Sequence, residues 1–276
     1  MSESTTPPGA GLGATPAESG ATALTVAYNG QPFAGFARQP GQDTVQGRLE
    51  VALSTILRRE IVTACAGRTD AGVHALGQVV SFPTIGGEPD DVALLRSLNA
   101  LVGEDISVRE VRRARQGFSA RFDAVSREYR YRLVSGPVPP LFLSPVAWWV
   151  KTPLDVEAVR AAASHLVGEH DFRSFCVTIS AAGKRTTRRV TSIDLFVEQA
   201  LGEECLTVRV VGNAFLHSMV RTIVGTLVEV GSGRRDPQWV LDALEAQRRA
   251  AAGPTAPANG LMLWSVGYPE EVWVRG

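Results

Sequence analysis

Residues 61–83 read IVTACAGRTDAGVHALGQVVSFP, two apolar, β-rich segments separated by a polar turn. The segments 61–66 and 76–83 predict strands, and the turn GRTDAGVH occupies 67–74. Two glycines and small neighbours surround Asp70, so the turn can present one carboxylate at a sheet edge where a ligand backbone approaches closely. The alternative, an Asx-turn in which Asp70 bonds its own backbone, stays open at this point.

The rest of the chain mixes strands and helices without a regular strand–helix–strand repeat. Strands are predicted at 23–28, 105–113, 127–134, 189–198, 204–211 and 261–268, and helices after Asp43 or Thr44, at 91–102, 155–166 and 213–230, and from Asp236. This irregular alternation favours an α+β fold over a doubly wound sheet. We predict a disordered tail at 1–22, an α+β half carrying Asp70 at 23–115, and a second α+β half at 116–276.

Composition excludes several classes of protein. The chain is 45% hydrophobic and 20% charged, enough to bury a core, and its apolar runs stay short of the ~20 residues that span a bilayer. The first 22 residues lack the basic and apolar regions of a signal peptide, so we expect a cytoplasmic protein. The three cysteines match no disulfide framework and the four histidines no metal-ligand spacing, so no metal site is expected.

Charge leaves the choice of partner open. The chain carries 28 basic and 28 acidic residues, and nearly all the basic ones are arginine. Local clusters occur at Arg109, Arg112, Arg113 and Arg115 and at Lys184, Arg185, Arg188 and Arg189. Such segregation can build a basic groove for RNA on a neutral protein, although solvated loops have the same composition.

A second polar feature lies in the segment NAFLHSMVR at 213–221. Asn213, His217 and Arg221 are spaced four apart and would form a polar line on one helix face. An ordinary amphipathic helix with one solvated face explains this pattern equally well. If the helix lines the cleft of Asp70, Arg221 would favour the ionised, nucleophilic form of that carboxylate.

Two tyrosines form a third feature. Tyr129 and Tyr131 are two apart on a predicted strand and so point to the same face. They could offer a stacking platform for a nucleobase, or simply belong to the core.

Taken together, these segments resemble the tRNA pseudouridine synthase A (TruA) family. GRTDAGVHALGQVV is similar to the family's active-site signature. The resemblance continues in the family's order through 28–50, 98–102, 118–133, 166–175, 213–231 and 252–263. It therefore covers nearly all of the chain beyond the tail and implies the pseudouridine synthase fold: two similar α/β-mixed halves, largely antiparallel sheets and a central active-site cleft.

The resemblance also implies roles for individual residues. Asp70 would be the catalytic nucleophile, with Arg68 beside it in the RNA-binding cleft. Tyr129 would contact the target uracil, Arg221 would pair with Asp70, and Leu261 would form an apolar contact under the base. Asn29, where the family usually has Asp, and Ala37, where it usually has Gln, depart from the pattern in the N-terminal loop.

The implied substrate is uridine at positions 38, 39 and 40 of the tRNA anticodon arm, bound jointly by the two chains of a homodimer. Isomerisation to pseudouridine transfers no electron and adds no group, so neither a cofactor nor a metal is expected. The base must leave its stack, which costs a few kcal/mol. Whether Asp70 attacks the base or the ribose is open at this point.

Two other classes of function compete with this interpretation. A non-catalytic RNA-binding protein of the same fold would be favoured by loss of Asp70, Tyr129 or Arg221, and all three are present. A glycosidase requires a second carboxyl group, and a metal-dependent nuclease requires clustered carboxylates or histidines. The motifs supply neither.

Overall fold

The protein is built around one large sheet. The computed structural model describes residues 18–181 and 183–274, and within those ranges ten strands join in a single sheet. In chain order the strands are β1 (Glu18–Tyr28), β2 (Ala64–Cys65), β3 (His74–Ile85), β4 (Ile106–Ala114), β5 (Ser126–Ser135), β6 (Trp148–Val150), β7 (Gly168–Asp171), β8 (Thr187–Ala200), β9 (Glu203–Gly212) and β10 (Leu261–Gly267). Their order across the sheet is β4-β1-β3-β10-β5-β9-β8-β7, with β2 beside β3 and β6 beside β5.

The strands pair mostly antiparallel. Among the described strands, β3 with β10 and β5 with β6 are the parallel pairs. The α+β class and the largely antiparallel pairing predicted from the sequence are confirmed, and the strands of both predicted halves belong to one continuous sheet.

The helices of the described ranges are α1 (Val45–Leu57), α2 (Asp91–Leu101), α3 (Val156–Ser164), α4 (Thr178–Ala181), α5 (Met219–Gly231) and α6 (Gln238–Glu245). Side-chain caps fix two of their starts as the sequence predicts: Thr44 Oγ1 accepts the Gly47 N–H at 3.3 Å, and Asp155 accepts the Ala158 N–H at 3.0 Å. No described helix is long and apolar enough to cross a membrane.

The centre of the sheet joins early and late parts of the chain. On either side of β10, Met262 lies opposite His74 of β3 and Leu263 opposite Tyr129 of β5. Because β3 begins at His74, the turn that carries Asp70 lies where these strands meet. The division of the chain near residue 115 stays a prediction.

Strand β5 shows how the sheet separates core from solvent. Tyr129, Tyr131 and Leu133 alternate along it and are buried. On the opposite face, Arg130 donates to Glu128 at 2.9 Å, and Arg132 pairs with Glu198 at 2.8 Å. One extended apolar cluster packs the sheet against the helices; its members include Leu24, Leu49, Leu98, Val208, Ile223 and Val240.

The structure corrects two of the predictions. Strand β1 begins at Glu18, so residues 18–22 belong to the sheet and not to a disordered tail, whose remaining residues 1–17 lie outside the described ranges. Helix α5 begins at Met219 and not after Asn213. Asn213 instead extends the β8–β9 pairing, because its backbone N–H donates to the Arg189 carbonyl and its side chain accepts the Arg189 N–H, each at 3.0 Å.

Candidate active site

The turn between β2 and β3 is fixed by buried polar contacts. Gln78 Nε2 donates to the Gly67 carbonyl at 2.6 Å, and its Oε1 accepts the Gly67 N–H at 3.4 Å. The hydroxyls of Tyr28 and Thr69 lie 2.8 Å apart, and the Phe36 N–H donates to the Thr69 carbonyl at 3.0 Å. Gly67 and Thr69, which precede Asp70 in the turn, are therefore held, and this limits the positions that the carboxylate can occupy.

Gly72 closes the turn in a conformation that favours glycine. Its φ is +77°, in the left-handed region, and a Cβ there would lie 3.2 Å from the Cβ of Ala258. The Val73 N–H donates to the Asp70 carbonyl at 3.2 Å across this bend. The chain can thus reverse tightly between Asp70 and β3 and pack against the loop before β10.

Asp70 is the point at which distant segments of the chain converge. Its Oδ2 accepts from Arg221 Nη1 at 2.9 Å and from Ser218 Oγ at 2.7 Å, while its Oδ1 lies 3.3 Å from His217 Nε2. Its side chain is 22% exposed and that of Arg221 18%, so the pair is largely shielded yet reachable from solvent. Side chains from α5 and its approach therefore engage both oxygens, which favours the cleft interpretation over an Asx-turn.

A backbone loop orients Arg221. Its Nε donates to the Ala256 carbonyl at 2.8 Å, and the Ala256 N–H donates to the Arg221 carbonyl at 3.1 Å. The loop packs directly on α5, since a Cβ on Gly225 would overlap the backbone of Pro254. Because the bond from Nε to the loop fixes the plane of the guanidinium, Nη1 is held in the direction of Asp70.

Tyr129 lies beside the turn as part of the buried wall. Its ring meets that of Phe215 edge to face, with centroids 5.2 Å apart, and its hydroxyl borders Gly67, 3.4 Å from where a Cβ would stand. Burial raises the pKa of Tyr129 well above its ordinary value; the positive charge of Arg127 opposes this and the negative charge of Asp70 adds to it. The phenol is therefore a neutral donor at neutral pH.

Arg68 and Leu261 occupy different settings. Arg68 is exposed on the turn. Burial raises the pKa of the nearby Cys65 thiol, and the positive charges of Arg68 and Arg121 act to lower it. Leu261 is buried at the start of β10, opposite Tyr131. The structure thus places Asp70, Arg221 and Tyr129 around one turn, Arg68 at its solvent side, and Leu261 in the adjoining wall.

Two contacts of the site escape the sequence analysis. The predicted helix from 213 makes Ser218 an interior residue, whereas Ser218 stands at the N-cap of α5 and its hydroxyl donates to Asp70. The same prediction places His217 and Arg221 on one helix face, but His217 precedes the helix and reaches Asp70 from the loop. The departure from the family pattern at Asn29 has a structural use: its Nδ2 donates to Asp105 at 2.9 Å.

The remaining polar groups show what the site could hold. Within the described ranges, no three His, Cys, Asp or Glu side chains are grouped so that they could share a metal ion. The arrangement instead offers one carboxylate, a cation, two further donors and a buried aromatic wall. Such a site could support nucleophilic chemistry by Asp70 on a group bound beside the aromatic wall.

The fold and this site define an α+β protein with one paired aspartate at the centre of its sheet, and comparison with known sequences gives the family. A sequence model described as tRNA pseudouridine synthase matches residues 24–123 and 162–269. The tRNA pseudouridine synthase A of Brevibacillus brevis is 46% identical over 88% of this chain and 97% of its own length. That of Bacillus subtilis is 42% identical with the same coverage, and that of Methylococcus capsulatus 41% identical over 90% of each chain. The chain belongs to the tRNA pseudouridine synthase A family, whose members are isomerases.

Proposed function

We propose that this protein isomerises uridine to pseudouridine at positions 38, 39 and 40 of the tRNA anticodon arm, with Asp70 as its nucleophile. The observation that carries the proposal is the pairing of Asp70 with Arg221 across 2.9 Å, with both side chains largely shielded from solvent. The positive charge of Arg221 lies directly against the carboxylate of this shielded pair. The names of its relatives supply the substrate class.

The chemistry balances without any co-reactant. Asp70 adds to the substrate, the bond between N1 of uracil and C1′ of ribose breaks, and C5 then joins C1′; the bond to Asp70 also breaks, which regenerates the free carboxylate. The hydrogen on C5 leaves as a proton and N1 gains one, so no electron is transferred. Attack on the base and attack on the ribose both satisfy this balance.

The surroundings of Asp70 suit a flipped-out uridine. The exposed Arg68 and the nearby Arg121 supply positive charge for the RNA backbone at the entrance. Tyr129 and Phe215 supply an aromatic wall against which the base can pack once it has left its stack. We further propose that a homodimer binds the tRNA and that the reaction takes place in the cytoplasm.

Release of tritium from tRNA labelled at uracil C5 tests the proposal, because forming the new carbon–carbon bond expels that hydrogen. We expect release by the wild type and by Asp242→Asn, a matched change of an exposed aspartate on α6. Asp70→Asn should release none above background while still binding tRNA. A well-folded wild type that binds tRNA without releasing tritium would instead indicate an RNA-binding protein that lacks the activity.

A further inference from the structure

The two oxygens of the Asp70 carboxylate are held unequally. Oδ2 accepts two short hydrogen bonds, from Ser218 Oγ at 2.7 Å and from Arg221 Nη1 at 2.9 Å. Oδ1 has a longer contact, 3.3 Å to Nε2 of His217, whose side chain is half exposed. The carboxylate can rotate about its last bond, so what distinguishes the oxygens is their position relative to Ser218.

Ser218 makes its contact from an unfavourable backbone conformation. Its φ of +58° and ψ of +15° lie in the left-handed region, where a serine is strained. It stands at the N-cap of α5, where a serine side chain usually accepts a helix N–H, but it makes no such capping bond. The hydroxyl donates to Asp70 instead. The strained backbone of Ser218 therefore lies directly beside the proposed nucleophile.

We infer that Ser218 is a positioning residue for the reaction and that the oxygen facing away from it forms the covalent bond to the substrate. This inference rests on the proposed function. When that oxygen bonds carbon, the other becomes an ester carbonyl that still accepts from Ser218 and Arg221. When the adduct breaks, the negative charge returns to an oxygen with two donors already in place, which requires no reorganisation.

The geometry assigns the attack to Oδ1, the oxygen facing away from Ser218, because Oδ1 has the longer contact with His217 whereas Oδ2 accepts two short hydrogen bonds. An oxygen with two short, charge-assisted bonds has its lone pairs engaged and is a poorer nucleophile. His217, at the longer distance and on the solvent side, can be displaced as the base enters. Ser218 itself does not touch the reacting carbon and acts only through Asp70.

Single-turnover tritium release and the tRNA concentration dependence of the rate test the role of Ser218 in three variants. Ser218→Ala removes the hydroxyl; Ser218→Gly removes the hydroxyl and also relieves the backbone strain. Ser218→Asn keeps a donor in a residue that tolerates the left-handed region. We expect the first two to lower the maximal rate roughly 10- to 100-fold with the KM for tRNA little changed, and Asn to recover about tenfold over Ala.

Glycine at 218 keeps the test falsifiable, because relief of strain should leave its thermal stability at or above that of wild type. A maximal rate within about threefold of wild type in the Ala or Gly variant, or an Asn variant no faster than Ala, would overturn the inference. So would a raised KM with an unchanged maximal rate, which would indicate a substrate contact. An inactive wild type would refute the proposed function instead, so the two failures are distinct.

The identity of the attacking oxygen can be tested by structure. In tRNA carrying 5-fluorouridine, C5 has no proton to lose, so an adduct in which Asp70 is bonded to the base should persist after C5 has joined C1′. We expect a crystal structure of the stalled adduct to show the free oxygen of Asp70 within hydrogen-bond distance of Ser218 Oγ. An adduct whose bonded oxygen is the one beside Ser218 would contradict the assignment.

Discussion

The guanidinium of Arg127 donates from Nε and Nη2 to the carbonyl oxygen of Ala66, at 3.3 and 3.0 Å, immediately before the turn that carries Asp70. The same side chain, only 8% exposed, also donates to the carbonyls of Arg121, Ala124 and Asn213. Burial lowers the pKa of Arg127, but the ion remains charged and fully used as a donor. Three separate segments around the site are thus tied to one buried cation.

Replacing Arg127 by methionine should therefore destabilise the three segments that its guanidinium joins. The variant keeps an apolar stem of similar length but removes the donor from four carbonyls, including that of buried Ala66, so we expect the free energy of unfolding to fall by about 2–4 kcal/mol. Urea denaturation measures this change. Arg96→Met, an exposed change on α2, should stay within about 0.5 kcal/mol of wild type. Equal effects of the two substitutions would refute the role of Arg127.

Arg221→Lys should retain a positive charge and still lose activity. A lysine has one nitrogen in place of the planar fork whose Nε donates to the Ala256 carbonyl while Nη1 donates to Asp70, so the charge loses its fixed direction. We expect the single-turnover rate of tritium release to fall about 10- to 100-fold, with tRNA binding retained. Arg96→Lys serves as the control. A rate within about threefold of wild type would show that charge alone suffices.

Much of the fold and part of the site were accessible from the sequence, because they depend on local signals. The caps at Thr44 and Asp155 follow from side chains bonding nearby N–H groups. The contact of Arg221 with Asp70 was expected from the family resemblance, not from spacing.

The contact of Ser218 with Asp70 was not predicted, because apolar periodicity extends the helix back to 213 and gives no sign that one serine takes a left-handed conformation. The short strands β6 and β7 were missed for a similar reason. Strand β6 forms by pairing with β5, and β7 forms by pairing with β8. Segments this short carry little strand signal of their own, so the sequence alone does not predict them.

The buried tyrosines should make stability depend on pH in the alkaline range. Burial raises the pKa of Tyr28, Tyr129, Tyr131 and Tyr268 above the ordinary value of 10.0. Above about pH 10 the unfolded chain loses phenolic protons that the folded chain keeps. The folded state then binds more protons, so the free energy of unfolding falls as pH rises.

Tyr129→Phe removes one of the four buried phenols and should therefore weaken the alkaline pH dependence of the free energy of unfolding. We expect the slope of the free energy of unfolding against pH, above about pH 10, to become less steep by about 1.4 kcal/mol per pH unit. Urea denaturation at a series of alkaline pH values gives the slope, and phenolate absorbance of the folded protein reports the tyrosines directly. Equal slopes in wild type and variant would mean that the phenol of Tyr129 ionises in the folded state as readily as in the unfolded one.

Gly72 and Gly87 form a matched pair that separates backbone strain from crowding at the site. Both have positive φ, +77° and +84°, but a Cβ on Gly72 meets Ala258 at 3.2 Å, whereas one on Gly87 meets no atom within 4 Å. Alanine at either position should cost about 1 kcal/mol of stability through the left-handed backbone. Gly72→Ala should in addition crowd Ala258 and shift the turn that carries Asp70 by a few tenths of an ångström, so we expect tritium release to fall several-fold only in that variant. Equal activity of the two alanine variants, at similar loss of thermal stability, would show that the turn can shift without moving the nucleophile.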